Sequence, residues 1–291
     1  MEHQENIVCP SCGHQKTKLH AKVKDHFLTG ENFVLVKCES CSLVFTENRP
    51  SIENIGNYYK SEDYVSHSST KKGVVNRVYN MVRNYTLGKK VKLISSLTTG
   101  THLLDIGAGT GHFLKRAKDE GFTVLGLEPD ADARRVANEL NGVELLPLES
   151  LSELGEGRFD VISMWHVLEH VYDLNTELES ILSTLKDKGV FVVAVPNYTS
   201  YDATHYKSFW AAYDVPRHLY HFEPKTIISL VESKGLKFEK MLPMKFDSYY
   251  VSMLSEKYKG GSIINAFRIG LLSNMKAKNG TYSSQIYVFR K

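Results

Sequence analysis

From residue 103 to residue 195 short apolar runs alternate with stretches of helical spacing, and no other feature restricts the fold as strongly. Residues 103–106, 123–127, 143–146, 159–164 and 190–195 read as strands. Helices are expected over about 111–120, 131–140 and 174–185. A helix between two strands carries the chain back to its starting end, so the strands run parallel and the helices cover both faces of the sheet. Ligands of such sheets bind beyond the carboxyl ends of the strands, which makes the turns there the place to seek chemistry.

The first of these turns reads Asp105-Ile-Gly107-Ala-Gly109-Thr-Gly111. Its glycines let the backbone approach a ligand closely, and Gly111 allows tight packing of helix on strand. The G-x-G-x-G spacing departs from the G-x-G-x-x-G of dinucleotide sites. Asp105 would repel an anionic pyrophosphate but suits a ligand that carries an ammonium group. Glu128 ends the second strand, 23 positions on, where a carboxylate can accept both hydroxyls of a ribose. Pro129 follows it, and Glu149 lies beyond the third strand, where an adenine edge could be met.

With these positions in place, the segments LLDIGAGTGHFL at 103–114, LGLEPD at 125–130 and FDVISMWHVLEHV at 159–171 resemble class I S-adenosylmethionine-dependent methyltransferases. The resemblance implies an α/β fold, a Rossmann-like seven-stranded sheet with helices on both faces. It implies S-adenosylmethionine as methyl donor, with Asp105, Gly107, Gly109 and Gly111 along its methionine part. Glu128 and Pro129 would then lie at the ribose, Glu149 or its neighbours at the adenine, and Trp165 beside the methyl-transfer pocket. Residues 224–243 and 285–290 would supply the last helix and the closing antiparallel strands. His166-Val-Leu-Glu169-His170 also fits the H-x-x-E-H of certain zinc peptidases. It starts at the end of a buried strand, however, so Glu169 and His170 are expected to structure the turn and His166 to line the pocket.

All four cysteines precede residue 42, as Cys9-Pro-Ser-Cys12 and Cys38-Glu-Ser-Cys41. Two Cys-x-x-Cys pairs supply four thiolates to one tetrahedral Zn²⁺ with no position left for a catalytic water, so the metal is read as structural. With short strands expected near 16–20 and 33–37, residues 1–48 resemble a zinc ribbon. Residues 49–98 read as a connector, rich in Tyr58, Tyr59, Tyr64 and the polar run 66–70, followed by a helical lead-in. Residues 99–291 form the methyltransferase domain, with a helical insertion at about 244–283.

The acceptor is expected beyond the fourth and fifth strands, against the segment 209–222 with its aromatics, Arg217, His218 and His221. His218 and His221 are candidate general bases, because imidazole titrates near neutrality. Arg217 either binds an anionic group or pairs with Asp214. The loop resembles a tyrosine- and histidine-bearing segment of zinc-containing deoxysugar C-methyltransferases, which points to a sugar or another biosynthetic small molecule.

The alternative is an RNA-directed methyltransferase that grips nucleic acid with the ribbon. A net charge of only +3, lowered further by zinc-bound thiolates, disfavours it. A nicotinamide oxidoreductase is a weaker rival. No apolar run is long enough for a membrane span, and residues 1–6 lack a secretory pattern, so a cytoplasmic enzyme is expected. The oligomeric state is not encoded in any motif.

Overall fold

The computed structural model describes residues 8–59, 74–277 and 280–291, with side chains omitted for 74–79. Tyr64, the run 66–70 and the N-terminal six residues lie outside the described residues. Helix α1 (Val74–Leu97) leads into the main domain. There β4 (His102–Ile106), α2 (His112–Asp119), β5 (Thr123–Leu127), α3 (Ala131–Asn141) and β6 (Leu145–Leu146) follow in order. Next come β7 (Phe159–Trp165), α4 (Leu174–Ser183) and β8 (Leu185–Pro196). The chain closes through α6 (Pro224–Glu232), β10 (Lys237–Pro243), α7 (Asp247–Lys259), α8 (Ile263–Lys276) and β11 (Ser284–Arg290). A short helix α5 (Tyr201–Tyr206) and the two-residue strand β9 (Tyr220–His221) lie between β8 and α6.

The main sheet has seven strands in the order β10-β11-β8-β7-β4-β5-β6. Strands β4 to β8 pair in parallel and β11 pairs antiparallel with both β8 and β10. The expected architecture is the one found. Alternation along β8 shows why helices must cover both faces. Phe191, Val193 and Val195 enter one core, while Val190, Val192 and Ala194 enter the other. Strand order reverses between β4 and β7, a switch point of the kind whose crevice at the strands' carboxyl ends takes ligands in such sheets.

The N-terminal module is a small antiparallel sheet of β1 (Thr17–Lys24), β2 (Asn32–Cys38) and β3 (Val44–Thr46). Its fourth strand is β9 of the main domain, with Val44 opposite His221 and Phe45 opposite Tyr220. Cys9, Cys38, Leu43 and Phe45 share one apolar core with the main sheet. Two side chains tie the same junction: Tyr198 Oη donates to Ser42 O at 2.8 Å, and Thr226 Oγ1 to Cys41 O at 3.0 Å. The N-terminal module is thus built into the wall that carries the segment 209–222.

A buried ion pair locks that wall. Asp25, in the β1–β2 turn, accepts from the amides of Phe27, Leu28 and Thr29, and from Arg217 Nη2 at 3.2 Å. Arg217 also donates to Asp214 at 2.6 Å, which realises the second of its two expected roles. Burial opposes ionisation of Asp25, but the Thr29 amide and the Arg217 guanidinium outweigh it and hold the carboxyl below its ordinary range. Asp25→Ala should therefore cost about 1–3 kcal/mol, because it removes one of the two carboxylates on a buried guanidinium that Asp214 still holds, and the acceptor of the turn amides. A urea melt checks this. A carboxyl with a depressed pKa stabilises the fold above its unfolded value, so the gap between wild type and variant should persist at neutral pH and shrink below about pH 4.

Candidate functional site

The glycine turn after β4 and the turn after β7 close on each other across the switch point. Gly107 has φ +69°, and a Cβ there would lie 2.4 Å from Val167 Cγ2, so only glycine fits this approach. Asp105, one residue before the end of β4, is buried, and Ser163 Oγ of β7 donates to its Oδ1 at 2.5 Å. Burial pushes its pKa up to about 7, with Ser163 and Lys90 opposing. Gly109 N donates to Glu128 Oε2 at 2.7 Å and Asp130 N to Oε1 at 3.0 Å. Each Glu128 oxygen thus spends one acceptor site on holding the turn and keeps another. Burial also raises the pKa of Glu128.

Trp165, at the end of β7, meets Phe113 edge-on with ring centroids 5.5 Å apart. Lys90 Nζ of α1 stands 4.2 Å from the Trp165 ring centroid, a cation on an aromatic face. Trp165 Nε1 is buried without a hydrogen-bond partner. Pro129 is exposed beside the crevice, its carbonyl accepting from Arg134 Nη1 at 2.7 Å. Glu149 is exposed on the 3₁₀ turn Leu148–Glu153 beyond β6. Asp105, the three glycines, Glu128 and Trp165 therefore stand at the carboxyl ends of β4, β5 and β7 around the switch point, with Pro129 and Glu149 on the exposed turns after β5 and β6. Lys90 was missed in the sequence, where nothing separates it from the other polar residues of an amphipathic helix.

Beyond the crevice lies a cluster of histidines around a buried carboxylate. His166 has φ +60°, its Nε2 is 3.0 Å from Asp247 Oδ2 and its Nδ1 3.4 Å from Glu169 Oε1. Burial disfavours the imidazolium, yet the two carboxylates prevail and raise its pKa to about 9. At neutral pH His166 is a cation and a proton donor. His170 Nδ1–H points at Arg217 O, 3.0 Å away, and His218 Nδ1–H at Ala212 O, 2.8 Å away. The His170 and His218 rings meet edge-on at 4.6 Å, and His221 lies 6.4 Å from His218. His221 is buried, its Nε2 lacks a partner, and burial holds its pKa well below 6.5, so it is neutral.

The four cysteine sulfurs lie within 4.8 Å of one another. Cys9 and Cys41 Sγ are 3.5 Å apart and Cys12 and Cys38 Sγ 3.7 Å. A tetrahedral zinc at about 2.3 Å from each sulfur requires separations of about 3.8 Å, so the set is compatible with that ion.

A family model described as a methyltransferase domain matches residues 79–240. The ubiquinone biosynthesis O-methyltransferase of Rickettsia bellii is 22% identical over 192 residues, covering 61% of this chain and 80% of that protein. The mitochondrial ubiquinone biosynthesis O-methyltransferase of Homo sapiens is 26% identical over 166 residues, 52% of this chain and 45% of that protein. This chain thus spans less than half of the human relative. The C-methyltransferase NovU of Streptomyces niveus is 27% identical over 147 residues, 48% of this chain and 34% of that protein. Among solved structures, magnesium protoporphyrin IX methyltransferase from Synechocystis superposes with a TM-score of 0.54 at 14% identity, over 83% of this chain and 100% of that one. A SAM-dependent methyltransferase from Archaeoglobus fulgidus gives 0.50 at 20% identity, over 72% and 94%. These likenesses carry the fold.

Proposed function

Since the chain belongs to the class I S-adenosylmethionine-dependent methyltransferases, we propose that it moves the methyl group of that donor to a small molecule, a sugar or another biosynthetic intermediate. The observation that carries this reading is the buried Asp105 beside a left-handed glycine turn at the switch point. Relatives named as O- and C-methyltransferases of small molecules support the acceptor class.

Bound S-adenosylmethionine supplies an activated methyl on a sulfonium, and the protein then has mainly to hold donor and nucleophile in line. Asp105 receives the ammonium of the methionine part, and the main chain of Gly107, Gly109 and Gly111 admits its carboxylate end. Glu128 turns its remaining acceptor sites to the ribose, while Pro129 and Glu149 flank the adenine. Trp165, with its unpaired indole N–H, borders the methyl. His166, held cationic by Asp247 and Glu169, orients an oxygen of the acceptor. His221 is our candidate for the base, being neutral, buried and bare at Nε2; His218 belongs to the group taken up below. The ribbon packs on this wall, which favours a small acceptor over RNA. Its four cysteines hold one structural Zn²⁺, and elemental analysis of the folded chain should find one zinc per chain, lost in Cys12→Ser.

Asp105 must be ionised to pair with an ammonium. Affinity for S-adenosylmethionine should therefore rise as pH increases through about 7, by nearly tenfold per pH unit on the acid side. Calorimetric titration at several pH values checks this, and Asp105→Asn should lose both the affinity and its pH dependence. The function itself is tested with methyl-labelled S-adenosylmethionine and a metabolite extract. Label recovered in a small molecule supports the reading; label recovered only in RNA, or tight binding of NAD alone, contradicts it.

A further inference from the structure

We propose that Glu169, His170 and His218 form a second metal site, distinct from the four cysteines, for a divalent ion of the Mn²⁺, Fe²⁺, Co²⁺ or Zn²⁺ class. One carboxylate oxygen of Glu169 and one ring nitrogen from each histidine lie within 4.8 Å of one another. An ion about 2.1 Å from each would draw them to roughly 3–3.5 Å, a closure within reach of small side-chain rotations.

Two further observations point to a cation. Glu169 is fully buried; His166 Nδ1 pairs with its Oε1 at 3.4 Å, while Oε2 has neither a hydrogen bond nor an ion-pair partner among the described residues. A buried carboxylate in that state is costly, and a cation at its free side removes the cost. The histidines, moreover, are oriented as metal ligands are. Each gives its Nδ1–H to a main-chain carbonyl, Arg217 O for His170 and Ala212 O for His218, which fixes the neutral tautomer and leaves Nε2 with its lone pair. Tyr59 Oη lies 3.0 Å from His170 Nδ1 and Asp214 Oδ2 4.0 Å from His218 Nε2, completing a polar shell around the rings.

Two imidazoles and one carboxylate suit borderline divalent ions rather than Ca²⁺ or Mg²⁺, which prefer all-oxygen sites. Three protein ligands leave coordination positions open. Glu169 and His170 follow β7 immediately after the cofactor crevice, and His218 stands in the acceptor loop, so an open position would face the acceptor. An oxygen-bearing acceptor, a hydroxyl or enol, could take it. That last step rests on the methyl-transfer reading; binding of the ion does not.

The test uses the full chain with its cysteines zinc-loaded, titrated with Mn²⁺ and read by loss of the free-ion electron paramagnetic resonance signal. Thiolate sites bind Mn²⁺ poorly, so the readout counts the nitrogen–oxygen site. One Mn²⁺ per chain is expected, with zinc content unchanged. Glu169→Gln, and His218→Asn, which keeps an amide donor for Ala212 O, should each weaken it by about tenfold or more at unchanged circular dichroism. Folded wild-type protein that takes up no Mn²⁺ at millimolar concentration overturns the proposal, as do two folded variants that bind like wild type. Should the variants not fold, Co²⁺ added to zinc-loaded wild type decides. Weak visible bands without sulfur-to-cobalt charge transfer support the site, and their absence refutes it. Methyl transfer is measured separately, so loss of one reading leaves the other standing.

Discussion

The pairing of β3 with β9 is the contact on which the arrangement of the site depends. Four residues, Val44, Phe45, Tyr220 and His221, join a sheet that starts in the cysteine module to a strand that carries a candidate base. Thr46 Oγ1 adds a hydrogen bond to His218 O at 3.1 Å, and Asp25 reaches across to Arg217. Backbone hydrogen bonds have fixed direction and spacing, so the position of the segment 209–222 is set by the N-terminal module as well as by the main sheet. The four cysteines lie at the far end of β2, so an ion held there would pin the hairpin that pairs with β9.

Carboxylates stand at both ends of the site, with different neighbours. Around the crevice, burial raises the pKa of both Asp105 and Glu128, which favours a cationic ligand whose arrival restores their ionised forms. Beyond β7, Asp247 and Glu169 instead hold His166 protonated, with neutral His221 further along the wall.

What the sequence disclosed was local. The strands and helices from 103 to 195 stand out because period-two and helical patterns arise within a few residues, and the glycine turn because φ > 0 demands glycine. Their ends were less legible: β8 begins at Leu185, five residues before its expected start, since Leu185 pairs with Phe159 of β7 while the polar Lys186, Asp187 and Lys188 bulge out before pairing resumes at Val190. The contacts that were missed all join distant segments. Lys90 over Trp165, Asp247 on His166, and Asp25 on Arg217 each bridge long stretches of chain, and no spacing rule announces such neighbours. The group Glu169, His170 and His218 belongs to the same class. Two of its members are adjacent in sequence and resemble part of a peptidase motif, while the third comes from a loop that only the fold brings near.

The central claim is that a donor with an ammonium end lies across the switch point with that end on Asp105. A crystal structure of the chain soaked with S-adenosylhomocysteine measures this most directly. The account predicts the amino group within hydrogen-bond distance of the Asp105 carboxylate and the ribose hydroxyls at Glu128. The ligand bound in the reverse sense, or at a site away from the glycine turn, would contradict it.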